Sequence, residues 1–262
     1  MEMKPQLSAL LWALLPLFML TSCNDDDDFP PASEVGIEGR VFVQNEFGQP
    51  LYDQRSGIQV FLEVGFRNFN LGADNVGRYR LSGAPTGSYT ATYSKNSNYS
   101  VVMRKNLVVN NVSPNFEVLN GFQQFPSVTL TLLPITTFGN VSAVLQGNGD
   151  DEAFQLMVQS SLSPPPPPTG QSKGFRVFAA VGAEVNKDNY DFQKHMTTLS
   201  STFSITLEDE LFTQISSNPG TVISLRLYGD ANFDESYEDP TGKVIFPNLS
   251  AEPSQIVSVV LP

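Results

Sequence analysis

The stretch Gly72–Tyr99, "GADNVGRYRLSGAPTGSYTATYSKNSNY", carries two short alternating runs bounded by tight turns. In the first, Tyr79 and Leu81 alternate with Arg78 and Arg80. In the second, Tyr89, Ala91 and Tyr93 alternate with Thr90, Thr92 and Ser94. Successive side chains on a strand point to opposite faces. An apolar residue at every second place therefore marks a strand with one face in a core and the other in water. "ADNVG" ahead of the first run puts Asn75 and Gly77 where positive φ costs little. "APTG" between the runs has Pro85 in the second place of a turn and Gly87 in the fourth, a type I pattern.

The same period continues on both sides. In "GIEGRVFVQ", Ile37, Val41 and Val43 share a face, with Glu38, Arg40 and Gln44 on the other. Ile58, Val60, Leu62 and Val64 alternate with Gln59 and Glu63, and Val128, Leu130 and Leu132 with Thr129 and Thr131. No long amphipathic helix interrupts them. Residues 35–134 therefore read as about seven antiparallel strands closing into a sandwich.

Gly77, Arg78, Tyr79 and Leu81, then Gly83, Pro85, Gly87 and Tyr89, resemble the signature of carboxypeptidase regulatory-like domains. "FGQPL", with Gly48, Pro50 and Leu51, fits that family's first turn. Tyr99 takes the place of its closing tyrosine, and Asn98 stands where a glycine is common. The resemblance implies a transthyretin-like Greek-key sandwich without catalytic residues, which rides beside other modules for stability or docking. The peptidase in the family's name has no counterpart here. Catalytic zinc needs about three ligands and a base, and His195 is the only histidine.

Strand patterns resume after Pro134 in "NVSAVLQG", "AFQLMVQSSL", "GFRVFAAVG", "TFSITLED", "TVISLRLYG", "KVIFPNL" and "IVSVVLP". Phe175, Val177, Ala179 and Val181 are expected on one face, as are Phe203, Ile205 and Leu207. Residues 135–262 read as a second sandwich, immunoglobulin- or fibronectin III-like. The fold class is thus all-β, two consecutive antiparallel sandwiches. "DELFTQIS" is either one short helical turn or part of a strand and its loop. Pro164–Pro168 read as a stiff surface loop, with a groove-binding polyproline segment as the other reading.

In "YGDANFDESYEDPTGK", Asp230, Asn232 and Asp234 alternate as oxygen ligands do at the start of a calcium loop. Calcium is the one cofactor this suggests. The loop departs from the EF-hand pattern, with Glu235 at the glycine place and Thr241 at that of the bidentate glutamate. Glu238 and Asp239 offer later oxygens. The other reading is a solvated acidic hairpin with an Asp-Pro turn.

The N-terminal region supplies an address. Residues 1–22 hold the apolar run "LLWALLPLFML" behind Lys4, short for a membrane span and interrupted by Pro16. It ends in Leu20-Thr21-Ser22-Cys23, which resembles a bacterial lipobox, whose cysteine becomes the lipid-modified N-terminus after cleavage. Cys23 is the only cysteine, so the mature chain has no disulfide and relies on core packing. Acyl chains on Cys23 would hold the protein at a membrane. Residues 23–34 form a tether bearing Asp25, Asp26, Asp27 and Asp28. These acids resemble the export signal of surface lipoproteins of Bacteroidetes type, and they also suit a self-repelling spacer. The expected location is the bacterial outer membrane, facing outward, with the periplasmic face as the alternative.

A formal net charge of −12 makes nucleic acid and anionic lipid poor partners, since both would be repelled, and no nucleic-acid partner is expected. With one histidine and no thiol in the mature chain, catalysis would fall to carboxylates such as Asp150 with Asp151, or Asp209 with Glu210, as in a glycoside hydrolase. No motif supports that chemistry. A non-catalytic, lipid-anchored envelope module for adhesion or complex assembly is the leading expectation. Its partner would be another envelope protein. The alternative is a glycan-binding lipoprotein of polysaccharide uptake, using Tyr52, Tyr99, Tyr190 and Tyr237 as stacking groups if several share an exposed face.

Overall fold

The computed structural model describes residues 35–110, 118–119, 121–147, 154–207, 209–215 and 218–262. Cys23 and Asp25 to Asp28 lie outside the described residues, as do Asp150 and Asp151. No helix among the described residues is long and apolar enough to cross a membrane.

Among the described residues the first half holds nine strands, against about seven expected: β1 (Val35–Gln44), β2 (Gln59–Val64), β3 (Arg67–Gly72), β4 (Arg78–Ala84), β5 (Gly87–Ser94), β6 (Val102–Val109), β7 (Val118–Leu119), β8 (Phe122–Gln124) and β9 (Val128–Thr131). One sheet runs β4-β1-β8-β7, with β9 also on β1. The other runs β3-β2-β5-β6. Their inner faces meet in one core that joins Ile37, Val41, Val43 and Leu130 to Val60, Leu62, Tyr89, Ala91 and Tyr93. These are the inward residues expected from alternation. The buried tyrosines keep partners for their hydroxyls. Tyr79 and Tyr93 pair oxygen to oxygen at 3.0 Å, and Tyr89 donates to the Pro85 carbonyl at 2.7 Å.

Three features depart from the expectation. β1 pairs with β8 and β9 in parallel, not antiparallel. β8 follows β7 through an antiparallel hairpin in that same sheet and is thereby turned to run with β1. Two strands lie outside those read: β3, although Phe69 and Leu71 alternate with Asn68 and Asn70, and β6, where Arg104, Lys105 and Asn106 interrupt the apolar residues. β6 also carries a bulge, with Asn106 at φ 57 and the pairing shifted between Tyr89 and Ala91. Asn75 does not take positive φ. Gly77 does, at φ 80, and the Asp74 carboxylate accepts the Val76 and Arg78 N–H groups at 3.0 and 2.8 Å.

The second half contains β10 (Thr137–Gly147), β11 (Phe154–Ser163), β12 (Lys173–Val181), β13 (Phe192–Thr198), β14 (Thr202–Leu207), α1 (Asp209–Gln214), β15 (Val222–Asp230), β16 (Tyr237–Glu238), β17 (Val244–Ile245) and β18 (Val257–Val260). A three-stranded sheet β10-β11-β14 faces a four-stranded sheet β13-β12-β15-β18, giving seven strands in an immunoglobulin-like sandwich. Leu156, Val158 and Leu207 of the first sheet pack on Phe175, Val177, Ala179, Ile223, Leu225 and Leu227 of the second. "DELFTQ" is a helix that seats Leu211 in this core. The five prolines form the connection between β11 and β12 and are exposed or half-buried.

β12 differs most from expectation. Val181, placed with the inward set, is exposed, whereas Arg176, Phe178 and Ala180 of the opposite face are buried. The outer face of this sheet is covered by the segment after β15. Phe246 and Leu249 from that segment pack with Phe178, Tyr228 and Val185 in a second, smaller core. A strand covered on both sides reads as a continuous apolar run, which is how "FRVFAAV" is written apart from Arg176.

Candidate functional site

Register locates the two ends of the first sandwich. Val35 pairs with Ala84, Gly87 with Val109, and Val64 closes a turn with Arg67, so all these residues lie at one end. The other end holds Gln44, Ser94, Val102 and Thr131. The second sandwich meets that far end, and the residues that join them are the candidate site.

Asn45 shapes the turn after β1. Its Oδ1 accepts the N–H groups of Phe47 and Gln49 at 3.0 and 2.9 Å. This Asx geometry presents Glu46 to the second sandwich. The Glu46 carbonyl accepts the Asn232 N–H at 2.8 Å, and its carboxylate lies 3.6 Å from Lys173 Nζ. The Lys173 side chain is only 2% exposed and also donates to Thr136 Oγ1 at 3.2 Å. Burial pushes the Glu46 carboxyl above its ordinary range, and the Lys173 charge and hydrogen bond offset this in part.

The acidic loop is the second half of the joint. Tyr237 donates to the Val101 carbonyl at 3.2 Å, and Arg104 lies 4.0 Å from Glu235. Lys105 donates to the Asp239 carbonyl. Lys105 stands beside Asn106 in the β6 bulge, a feature that re-aims side chains. The charge balance suits the contact. Residues 35–134 hold eight Lys/Arg and six Asp/Glu, residues 135–262 six and fifteen. An open groove of about 510 Å³ beside the joint is lined by Asn45, Phe47, Asn98, Leu133 and Ile135 among others.

Asp230 and Asp234 have another task than the one their spacing suggested. Both converge on Arg176, whose Nε donates to Asp230 Oδ2 at 2.9 Å and Nη2 to Asp234 Oδ1 at 2.5 Å. Nη1 donates to Gln193, and the guanidinium carbon lies 4.3 Å from the Phe246 ring centre. The Arg176 and Asp230 side chains are each 1% exposed, that of Asp234 63%. Burial pushes the Asp230 carboxyl up, against the opposing pull of Arg176 and His195. Asn232 Oδ1 accepts from Ser172 Oγ at 2.9 Å. Asp239 accepts within its own turn from Thr241, through both N–H and hydroxyl. The oxygens read as calcium ligands thus face an arginine, a serine and a turn. Among the described residues no group of three His, Cys, Asp or Glu could hold a metal ion. His195 Nε2 lies 2.9 Å from the Ala231 carbonyl.

The four tyrosines do not share an exposed face. Tyr99 is 5% exposed, donates its hydroxyl to Gln54 and closes the core, so it is no stacking platform. Tyr237 is half-buried in the joint. Tyr190 is half-buried against Phe178 at 5.1 Å. Tyr52 is exposed, with the Arg55 guanidinium 4.9 Å from its ring centre. Asp209 and Glu210 open α1.

Sequence reasoning missed Glu46, Lys173 and Arg176. A legible sign did exist for Arg176: a charge inside an apolar run needs a buried partner, and "LRLYGD" ends in one.

No family model matches the chain, and no curated protein matches it. Among solved structures, a DUF3823 family protein from Bacteroides ovatus aligns at 12% identity and TM-score 0.31, covering 87% of this chain and 100% of that one. One from Parabacteroides merdae aligns at 12% and 0.30, covering 87% and 99%. A candidate carbohydrate-binding protein from Bacteroides uniformis aligns at 13% and 0.26, covering 87% and 99%.

Proposed function

We propose that this chain is a non-catalytic, lipid-anchored envelope protein in which the first sandwich, a carboxypeptidase regulatory-like module, carries the second away from the membrane as an interaction module. One observation carries the reading. The tether leads into Val35 at one end of the first sandwich, and the second sandwich is joined at the opposite end, through Glu46, Val101, Arg104 and Lys105. The buried acids at the joint and beneath the loop serve as counter-ions to Lys173 and Arg176, a structural use of charge.

Surface display is the testable part. Intact cells carrying a C-terminally tagged chain are treated with protease and blotted, with and without Asp25 to Asp28 changed to Ala. The native protein should be cut in its tether and released as one fragment containing both sandwiches, and the variant should be protected. Protection of both until lysis would overturn the outward-facing reading and place the partner in the periplasm.

A further inference from the structure

We propose that the β2–β3 hairpin tip, Gly65-Phe66, is a membrane-contact point that seats its aromatic ring in the lipid interface beneath the anchored protein. The inference rests on the lipid-anchor reading and adds to it a defined contact and orientation.

The tip is a two-residue turn between paired Val64 and Arg67. Gly65 has φ 54, in the first central place, which a type II′ hairpin turn reserves for glycine. Phe66 follows with its ring fully exposed to water. A phenylalanine without packing costs hydration free energy that burial would recover.

The position of the tip says what would bury it. Val64 closes the strand that pairs Glu63 with Thr90 on β5. The start of β5 lies beside the end of β4, where Ala84 pairs with Val35. The tip therefore sits at the same end as Val35, where the chain arrives from Cys23. Residues 23–34 can reach at most about 40 Å, so an anchored Cys23 keeps this end of the molecule next to the bilayer. Val108, also exposed, pairs with Ser88 at that end. Arg67, next to Phe66, supplies a cation at headgroup height. The strongly acidic second sandwich lies at the far end, where lipid charge repels it least.

The chain suits a direct test, because Cys23 is its only cysteine and Trp12 its only tryptophan. The chain from Cys23 onward is made with Phe66→Trp and coupled through the Cys23 thiol to maleimide lipid in phosphatidylcholine vesicles. Tyr52→Trp, at the opposite end, is the control. Insertion predicts that indole emission from the Phe66→Trp chain shifts to the blue on coupling and is quenched by brominated acyl chains. Emission from the Tyr52→Trp chain should stay water-like. No shift at position 66, equal shifts at both positions, or a blue shift that grows with protein concentration before any lipid is added would overturn the proposal; the last would assign the tip to self-association. Incorporation of an alkyne-bearing fatty acid at Cys23 in cells tests the anchor separately. Label without a blue shift sinks the tip, and a blue shift without label sinks the anchor.

Discussion

Lys173 and Glu46 meet across the joint between the sandwiches, 3.6 Å apart, with the lysine side chain almost wholly out of water. A buried ammonium tolerates that position only with a counter-charge. Glu46→Gln should therefore cost about 2–4 kcal/mol in urea denaturation, since the counter-charge is lost and only neutral acceptors, the amide oxygen and the Thr136 hydroxyl, remain. Lys173→Met in the same chain should recover most of it. A Glu46→Gln cost no larger than that of an exposed glutamate would show that the pair does not join the halves.

Arg176 and Asp230 form the more deeply buried pair. Arg176→Met should cost about 3–5 kcal/mol at neutral pH, because it strands the Asp230 carboxylate. Burial already raises that carboxyl in the folded state, and removing the guanidinium raises it further. A raised folded value means that the folded state holds its proton where the unfolded state has released it. The variant should thus be least stable at neutral pH and regain stability as pH falls toward about 4, the ordinary range for aspartate. Denaturation at about pH 4.5 and about pH 7, on either side of that recovery, compares the two.

Asp74 behaves with the opposite sign. Slight burial opposes ionisation, but the Arg78 and Val76 N–H groups and the Arg78 side chain outweigh it and hold the carboxyl below its usual range. Its contribution is present above about pH 4 and fades as pH falls through the lowered folded value. Asp74→Ala should lower the urea midpoint at neutral pH, and by less in acid, where the carboxylate has taken up its proton.

Gly77 closes the same turn at φ 80, and a Cβ there would lie 2.1 Å from the Val41 carbonyl oxygen. That carbonyl is backbone of a central strand and has little freedom to move. Gly77→Ala should lower stability by about 2 kcal/mol or more, read as an earlier urea midpoint. Gly242→Ala, at φ 86 with open space around it, should cost less.

Millimolar calcium should leave the melting temperature unchanged, since Asp230 and Asp234 hold Arg176. A calcium-dependent rise in melting temperature that Asp234→Asn abolishes would restore the calcium reading.

Much of the fold was legible in local sequence because a half-buried strand writes its own record. Ile37, Val60, Tyr89 and Leu130 fall at alternate places since each strand has one face in a core, and Gly77 marks a turn that needs its φ. β6 escaped because a bulge that puts Asn106 at positive φ breaks its period, and β12, read as a strand, was given one buried face where it has two. The parallel seating of β8 and β9 on β1 was also invisible, because partner choice depends on residues far apart in the chain.

Residue type and spacing alone thus determined the all-β class, the inward residues of most strands and the uneven charge of the two halves. Only the tertiary structure decided what the acidic loop does. Spacing puts Asp230, Asn232 and Asp234 in a row, but the ligand of an oxygen is whatever the fold brings within about 3 Å of it. Here β12 brings Arg176 to the two carboxylates, and Ser172, just before that strand, reaches Asn232. Hydrogen-bonding distance between residues more than fifty positions apart is a property of sheet register, and no window of sequence contains it.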